Sequence, residues 1–276
     1  MGSGRWRIMA SSRRRRGGTA APPLFILLAA VGAAFFVLPL AGLLVRTPWA
    51  SAWQLLTSSE AITALRLSLL ASLTATVIAV VVGVPLAWVF ARIPFPGRAV
   101  LRALTVLPMV LPPVVGGVAL LAAFGRRGLV GGWLEQAFGI HFPFTTAGAI
   151  LAETFVAMPF LVITVEAGLR GMDARFEDAG RTLGARRWTL LWRVTLPLVR
   201  PSLVAGAVLC WARALGEFGA TITFAGNFPG RTQTMPLAVY LALETNPDAA
   251  IALSLVLLAV SLVVLIALRD RWLGTA

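Results

Sequence analysis

Long apolar runs alternate with short polar stretches along this chain, and the runs share one length. Stretches of about twenty apolar residues, the length of helix that crosses ~30 Å of hydrocarbon at about 1.5 Å per residue, fall at 24–45, 67–90, 104–124, 147–169, 198–218 and 251–268. The pattern predicts an all-α integral membrane protein with six transmembrane helices. Prolines and glycines interrupt the third and fifth runs, and Pro108, Pro112 and Pro113 in the third predict a bent helix beside a cavity or a packing kink. Two shorter, aromatic-bearing stretches, 47–62 and 129–144, have the character of helices lying at the membrane interface.

Arginine placement orients the helices. Eighteen of the 24 basic residues fall in the N-terminal tail, the loop after the second run, the segment after the fourth and the C-terminal end. The positive-inside bias then puts both termini in the cytoplasm. Residues 1–22 form an arginine-rich cytoplasmic tail, an anchor touching anionic membrane lipid, and residues 23–273 form one polytopic domain with no internal repeat. A cleaved signal peptide is the rival reading of the first run, but about 22 apolar residues exceed the ~7–15 of a signal h-region.

One segment breaks the apolar pattern. Residues 173–197, on the cytoplasmic side, contain Glu177-Asp178-Ala179-Gly180-Arg181 and a further glycine at 184. Phe176, Ala179, Gly180 and Leu183 recur at i, i+3, i+4 and i+7, the stripe of a short helix, with Glu177 and Arg181 at i, i+4 in the favourable acid-first order. The helix is expected to end near Gly184, which tolerates the left-handed conformation of a C-terminal cap. A second short helix around Arg186, Arg187, Trp188 and Trp192 follows, before Leu196-Pro197 turns the chain into the fifth span. The centre of the stripe, Ala179 and Gly180, is small enough for a neighbour to approach closely.

Composition narrows the chemistry. No residue is lysine, so the Gly-Lys-Ser/Thr ending of a phosphate-binding loop is absent and any ATP must be hydrolysed by another subunit. One cysteine and one histidine are too few for a structural metal, no cofactor is expected, and the net charge of +13 is spread over loops in a way that argues against nucleic acid. No catalytic motif or pair of carboxylates within a span points to a membrane enzyme. An ion-driven secondary carrier would show a duplicated half and mid-membrane acids.

The polar island resembles the cytoplasmic "EAA" loop of ABC importer permeases: Glu-Ala-Ala, three residues, Gly, nine residues, Ile, one residue, Leu-Pro. Here the positions read Asp178-Ala179-Gly180, Gly184, Val194 and Leu196-Pro197. Gly180 in place of the second Ala should loosen the helix by up to ~1 kcal/mol. The resemblance implies a type I importer permease fold, with coupling helices at Glu177, Asp178, Ala179, Gly180, Arg181, Gly184 and Pro197 seated against cytoplasmic ATPase subunits. It also implies an extracytoplasmic substrate-binding protein and a second copy of the chain. "ARALGEFGATITFAGNFPGRTQTMPLAVY", residues 212–240, and "LPMVLPPVVGGVALLAAFGRRG", residues 107–128, are similar to the molybdate branch, with tungstate and sulfate/thiosulfate permeases as neighbours.

Arg213 and Glu217, read as an i, i+4 pair on the fifth span, are ionisable groups in a costly place. They either line the translocation pathway or fasten the bundle. Gly216, Gly219, Thr221 and Pro112 join them as pathway candidates, supplying backbone freedom and weak donors for an oxyanion. Glu166 is expected to pair with Arg170, and Glu153 to be wet.

Overall fold

The computed structural model describes residues 22–173 and 175–272, so the expected tail lies outside the described residues apart from Pro22. Every regular element among them is helical. Helix α1 (Pro23–Arg46) belongs to one compact unit, and the chain from Thr47 onward forms another. In the second unit α2 (Trp49–Leu56) and α6 (Gly131–Phe138) occupy the two aromatic stretches expected to be short helices.

The core of the second unit is built from α3 (Ser59–Arg92), α7 (Thr146–Gly171) and α10 (Leu196–Leu215). Two hydroxyls fix where the long helices start: Ser58 accepts from the Ala61 amide at 3.2 Å and Thr145 from the Gly148 amide at 3.0 Å. Lipid removes most of the hydrophobic drive between helices, so small residues that let backbones close up carry the packing. Ala75, Ala79 and Ala87 of α3 meet Ala157, Leu161 and Val165 of α7, with Cys210 and Ala214 of α10 completing the cluster. A Cβ at Gly83 would come within 3.0 Å of Leu161 Cδ2, so an alanine there would require side chains of α7 to give by a few tenths of an ångström. Trp211 Nε1 donates to Ser72 Oγ at 3.0 Å, adding a polar tie between α10 and α3.

Among the described residues five helical stretches are long and apolar enough to cross a membrane: α1, α3, α7, Arg187–Leu215 and Pro247–Val264, the last within α13 (Pro247–Trp272). The third expected span is built differently. Its prolines split it into α4 (Arg98–Val106), a 3₁₀ turn at Leu107–Met109 and α5 (Pro113–Phe124), with Pro112 extended at φ −53°, ψ 132°. At roughly 18 Å, α5 cannot cross the hydrocarbon alone.

The fifth expected run also ends early. Helix α10 stops at Leu215, the chain breaks at Gly216–Phe218, and a short α11 (Gly219–Ala225) packs on α5 and α7 through Leu120, Ala152, Val156, Ala220 and Phe224. A further helix, α12 (Met235–Thr245), was not anticipated from the pattern. It is tied to α3 by the Met235 amide, which donates to Ser68 Oγ at 2.6 Å.

Candidate functional site: the coupling loop and the broken fifth span

The polar island folds as a helix, a tight reversal and a second helix. Helix α8 spans Arg175–Thr182. The Gly184 amide donates to Arg181 O and the Ala185 amide to Gly180 O, both at 3.0 Å, while Gly184 has φ +78°. This pair of bonds around a left-handed glycine is the Schellman arrangement. Nothing lies within 4 Å of a Cβ placed on Gly184, so its requirement is conformational.

After the reversal, α9 (Arg187–Leu190) passes through a π turn, Leu191–Thr195, into α10, making one continuous helix from Arg187 to Leu215. The expected turn at Leu196-Pro197 is therefore absent. Pro197 stands two residues after the π turn, inside the continuous helix, and the change of direction occurs earlier, at Gly184.

The π turn has a consequence for packing. It presents Thr195, 2% exposed, so that its Oγ1 donates to Glu177 Oε1 at 2.9 Å. The same carboxylate oxygen accepts from Arg92 Nη2 at 3.3 Å, and Arg181 lies 3.7 Å from Oε2. Glu177 thus joins α8 to the end of α3 and the start of the α10 helix. Gly180 faces Leu190, whose methyl occupies the space a side chain at 180 would need. Small size at 180 therefore serves a contact within this chain.

The other face of α8 has no such cover. Phe176 is 54% and Leu183 87% exposed, Ala179 is exposed between them, and Asp178 pairs with Arg181 at 2.9 Å in the open. An apolar stripe rimmed by charges at an exposed helix is the surface expected of a docking element.

A second constellation lies at the break after α10. Arg213 and Glu217 are paired at 2.5 Å, but not along one helix as the spacing suggested. The helix ends between them, and Glu217, 1% exposed, accepts from the Ala220 amide at 2.9 Å, so it satisfies one N–H in the first turn of α11 while holding Arg213. Gly219 lies against the start of α5: a Cβ there would meet Pro113 Cβ at 2.5 Å. Thr221 is fully buried and its Oγ1 has no hydrogen-bond partner among the described residues, whereas Gly216 and Pro112 are exposed. Five of the six pathway candidates thus lie along 213–221, and Pro112 borders the Pro113–Gly219 contact.

Two acids differ from expectation or extend it. Glu153 is 1% exposed, not wet, and lies within Coulombic reach of Glu217. Glu166 pairs with Arg170 at 2.6 Å as expected and also with Arg102 at 3.0 Å.

Comparison with known proteins settles the class. Residues 79–275 match the family described as binding-protein-dependent transport system inner membrane component. The chain belongs to that family. This permease is 50% identical over 242 residues to the molybdenum transport system permease protein ModB of Mycobacterium tuberculosis, covering 87% of this chain and 90% of the relative. It is 38% identical to the sulfate transport system permease protein CysT of Escherichia coli K12, covering 84% and 85%. A crystal structure of a bacterial alginate ABC transporter, in complex with an alginate pentasaccharide-bound periplasmic protein, superposes on it with a TM-score of 0.72. At 20% identity over 90% of this chain and 93% of that one, the likeness is one of fold, that of the type I importer permeases.

Proposed function

We propose that this permease carries molybdate through the membrane as the transmembrane subunit of an ATP-driven importer. The chain makes and breaks no bond. The observation that carries the mechanism is the division of α8 into two faces. One is locked to α3 and α10 through Glu177 and Gly180; the other presents Phe176, Ala179 and Leu183 outward. A helix built this way can receive a displacement from a partner and deliver it to two spans.

The partner is an ATPase subunit on the cytoplasmic side, since the chain has no lysine with which to form a phosphate-binding loop. Both termini lie on that side, by the arginine distribution. Two copies of the chain pair with two ATPase subunits. A binding protein delivers the oxyanion from outside, in keeping with the family's description as binding-protein-dependent. ATP-driven closure moves α8, Glu177 and Thr195 transmit the shift to α3 and α10, and the central route alternates its opening. The break at Gly216–Phe218, stapled by Arg213 and Glu217, is where the pathway end of α10 yields. Selection among oxyanions rests mainly with the binding protein.

Molybdate is favoured by the 50% identity to a molybdenum permease; sulfate is the second reading, favoured by the 38% identity to a sulfate permease. Co-purification with candidate ATPase subunits, followed by uptake of radiolabelled molybdate against molybdate, tungstate and sulfate competitors, tests both. Recovery of the ATPase and competition by molybdate or tungstate at far lower concentration than sulfate is the expected result. Absence of any nucleotide-hydrolysing partner overturns the reading.

A further inference from the structure

Where α4 begins and α7 ends, a cavity of about 510 Å³ is lined by Phe95, Ala99, Val100, Arg98, Arg102 and Arg170. Three arginines line it. The acid beneath them is Glu166, 1% exposed, whose two carboxylate oxygens are divided between Arg102 Nε and Arg170. Arg102 commits only Nε to Glu166, whereas Arg170 commits Nε and Nη2 to it and turns Nη2 to the Phe90 carbonyl as well, at 3.4 Å; the other N–H groups of their five-donor forks are left for another acceptor, with side chains 47% and 45% exposed. Arg98 has no acid partner among the described residues. The cavity therefore carries two positive charges in excess of its one carboxylate, which an anion with several oxygens would offset.

The depth of the cavity identifies the kind of anion. On α4, Val100, Leu101 and Leu104 are 64%, 43% and 57% exposed, while Arg98 and Arg102 stand one turn apart at i, i+4. A short helix with exposed aliphatic side chains and a basic flank lies at the headgroup level of a bilayer. Phe95 and Val100 bring that apolar surface to the edge of the arginine cluster. A soluble anion would use the guanidinium groups alone. An anionic phospholipid uses both, phosphate on the arginines and glycerol and acyl chains along the aliphatic rim.

We propose that this cavity is a binding site for the phosphate headgroup of an anionic phospholipid, with Arg98, Arg102 and Arg170 as its ligands. The two-charge excess matches a two-phosphate lipid such as cardiolipin better than a singly charged one. Bound there, the lipid would bridge α4 to the end of α7, the helix that leads into α8.

The test is native mass spectrometry of the full-length protein released from detergent, with cardiolipin, phosphatidylglycerol and phosphatidylcholine as probes. Inorganic phosphate and molybdate serve as soluble competitors. Retention in the order cardiolipin, phosphatidylglycerol, phosphatidylcholine is expected, unaffected by millimolar phosphate or molybdate. Arg98→Gln, which strands no acid, should weaken cardiolipin retention about fivefold, the effect of one basic residue near a lipid surface, and Arg98→Lys should retain most of it. Arg231→Gln, at an exposed position outside the cavity, should leave it unchanged. A matching lipid-free melting temperature for Arg98→Gln and the native chain separates loss of binding from misfolding; a lower one transfers the comparison to Arg98→Lys against Arg98→Gln at a temperature where both are folded. Equal retention by Arg98→Gln and native protein, equal binding of phosphatidylcholine, or displacement of cardiolipin by phosphate or molybdate would each overturn the proposal.

Discussion

Thr195 Oγ1 donates to Glu177 Oε1 at 2.9 Å, and this bond joins α8 to the membrane helix that follows it. Thr195 is in position to do so because the backbone between Leu191 and Thr195 widens into a π turn, a feature found frequently at functional sites. With Arg92 on the same oxygen, one carboxylate holds three elements together.

Replacing Glu177 by Ala should therefore uncouple the permease. Arg92 loses its partner, Thr195 loses its acceptor, and α8 can shift without moving α3 or α10. In proteoliposomes containing the ATPase subunit, molybdate uptake is expected to fall at least tenfold while ATP hydrolysis persists. Arg92→Ala should act in the same direction, and the double variant should be no worse than either single one, since contacting residues are non-additive.

Gly184 should accept only residues that tolerate a positive φ. Nothing obstructs a side chain at that position, so the cost is backbone strain of roughly 1–2 kcal/mol for a non-glycine residue. Gly184→Val is expected to lower uptake severalfold with a fall of only a few degrees in melting temperature, and Gly184→Asn to fall between Val and native. Thermal unfolding in detergent beside an uptake assay measures both.

At Gly180 the obstruction is Leu190. Gly180→Val should displace Leu190 and impair uptake, and Leu190→Ala placed in the same chain should restore part of it by vacating the space. Failure of the second substitution to improve the first would show that the contact is not what limits residue size at 180.

Arg213→Ala leaves the Glu217 carboxylate 1% exposed with its cation removed. Breaking a buried pair in this way costs about 3–5 kcal/mol. Arg213→Ala should thus lower the melting temperature more than Glu217→Gln, because glutamine keeps an oxygen for the Ala220 amide.

Depth and small-residue spacing were the properties most legible in the sequence. The apolar runs located α1, α3, α7 and α13, and the spacing of Gly184 from the acids located the end of α8 and its left-handed cap. Hydropathy reports what can sit in lipid, not where a helix breaks, so Pro112 and Gly216 ended spans that composition alone continued. Helix α12, eleven residues between irregular segments, is too short to register as a span. Partners distant in sequence were hidden altogether. Glu177 showed its neighbour Arg181 by spacing, while Arg92 and Thr195 reach it only through the fold. The π turn that aims Thr195 left no sequence signal that the pattern of apolar residues could carry.

The most direct test of the account concerns Leu183, 87% exposed on the outer face of α8. The chain's own Cys210 is buried, so Leu183→Cys introduces one accessible thiol. In intact cells this thiol is expected to resist a membrane-impermeant maleimide, and in inverted vesicles to react with it unless the ATPase subunit is bound, to which it should then crosslink in a nucleotide-dependent way. Labelling of Leu183→Cys from outside intact cells would place α8 on the wrong side of the membrane for any motor and contradict the account.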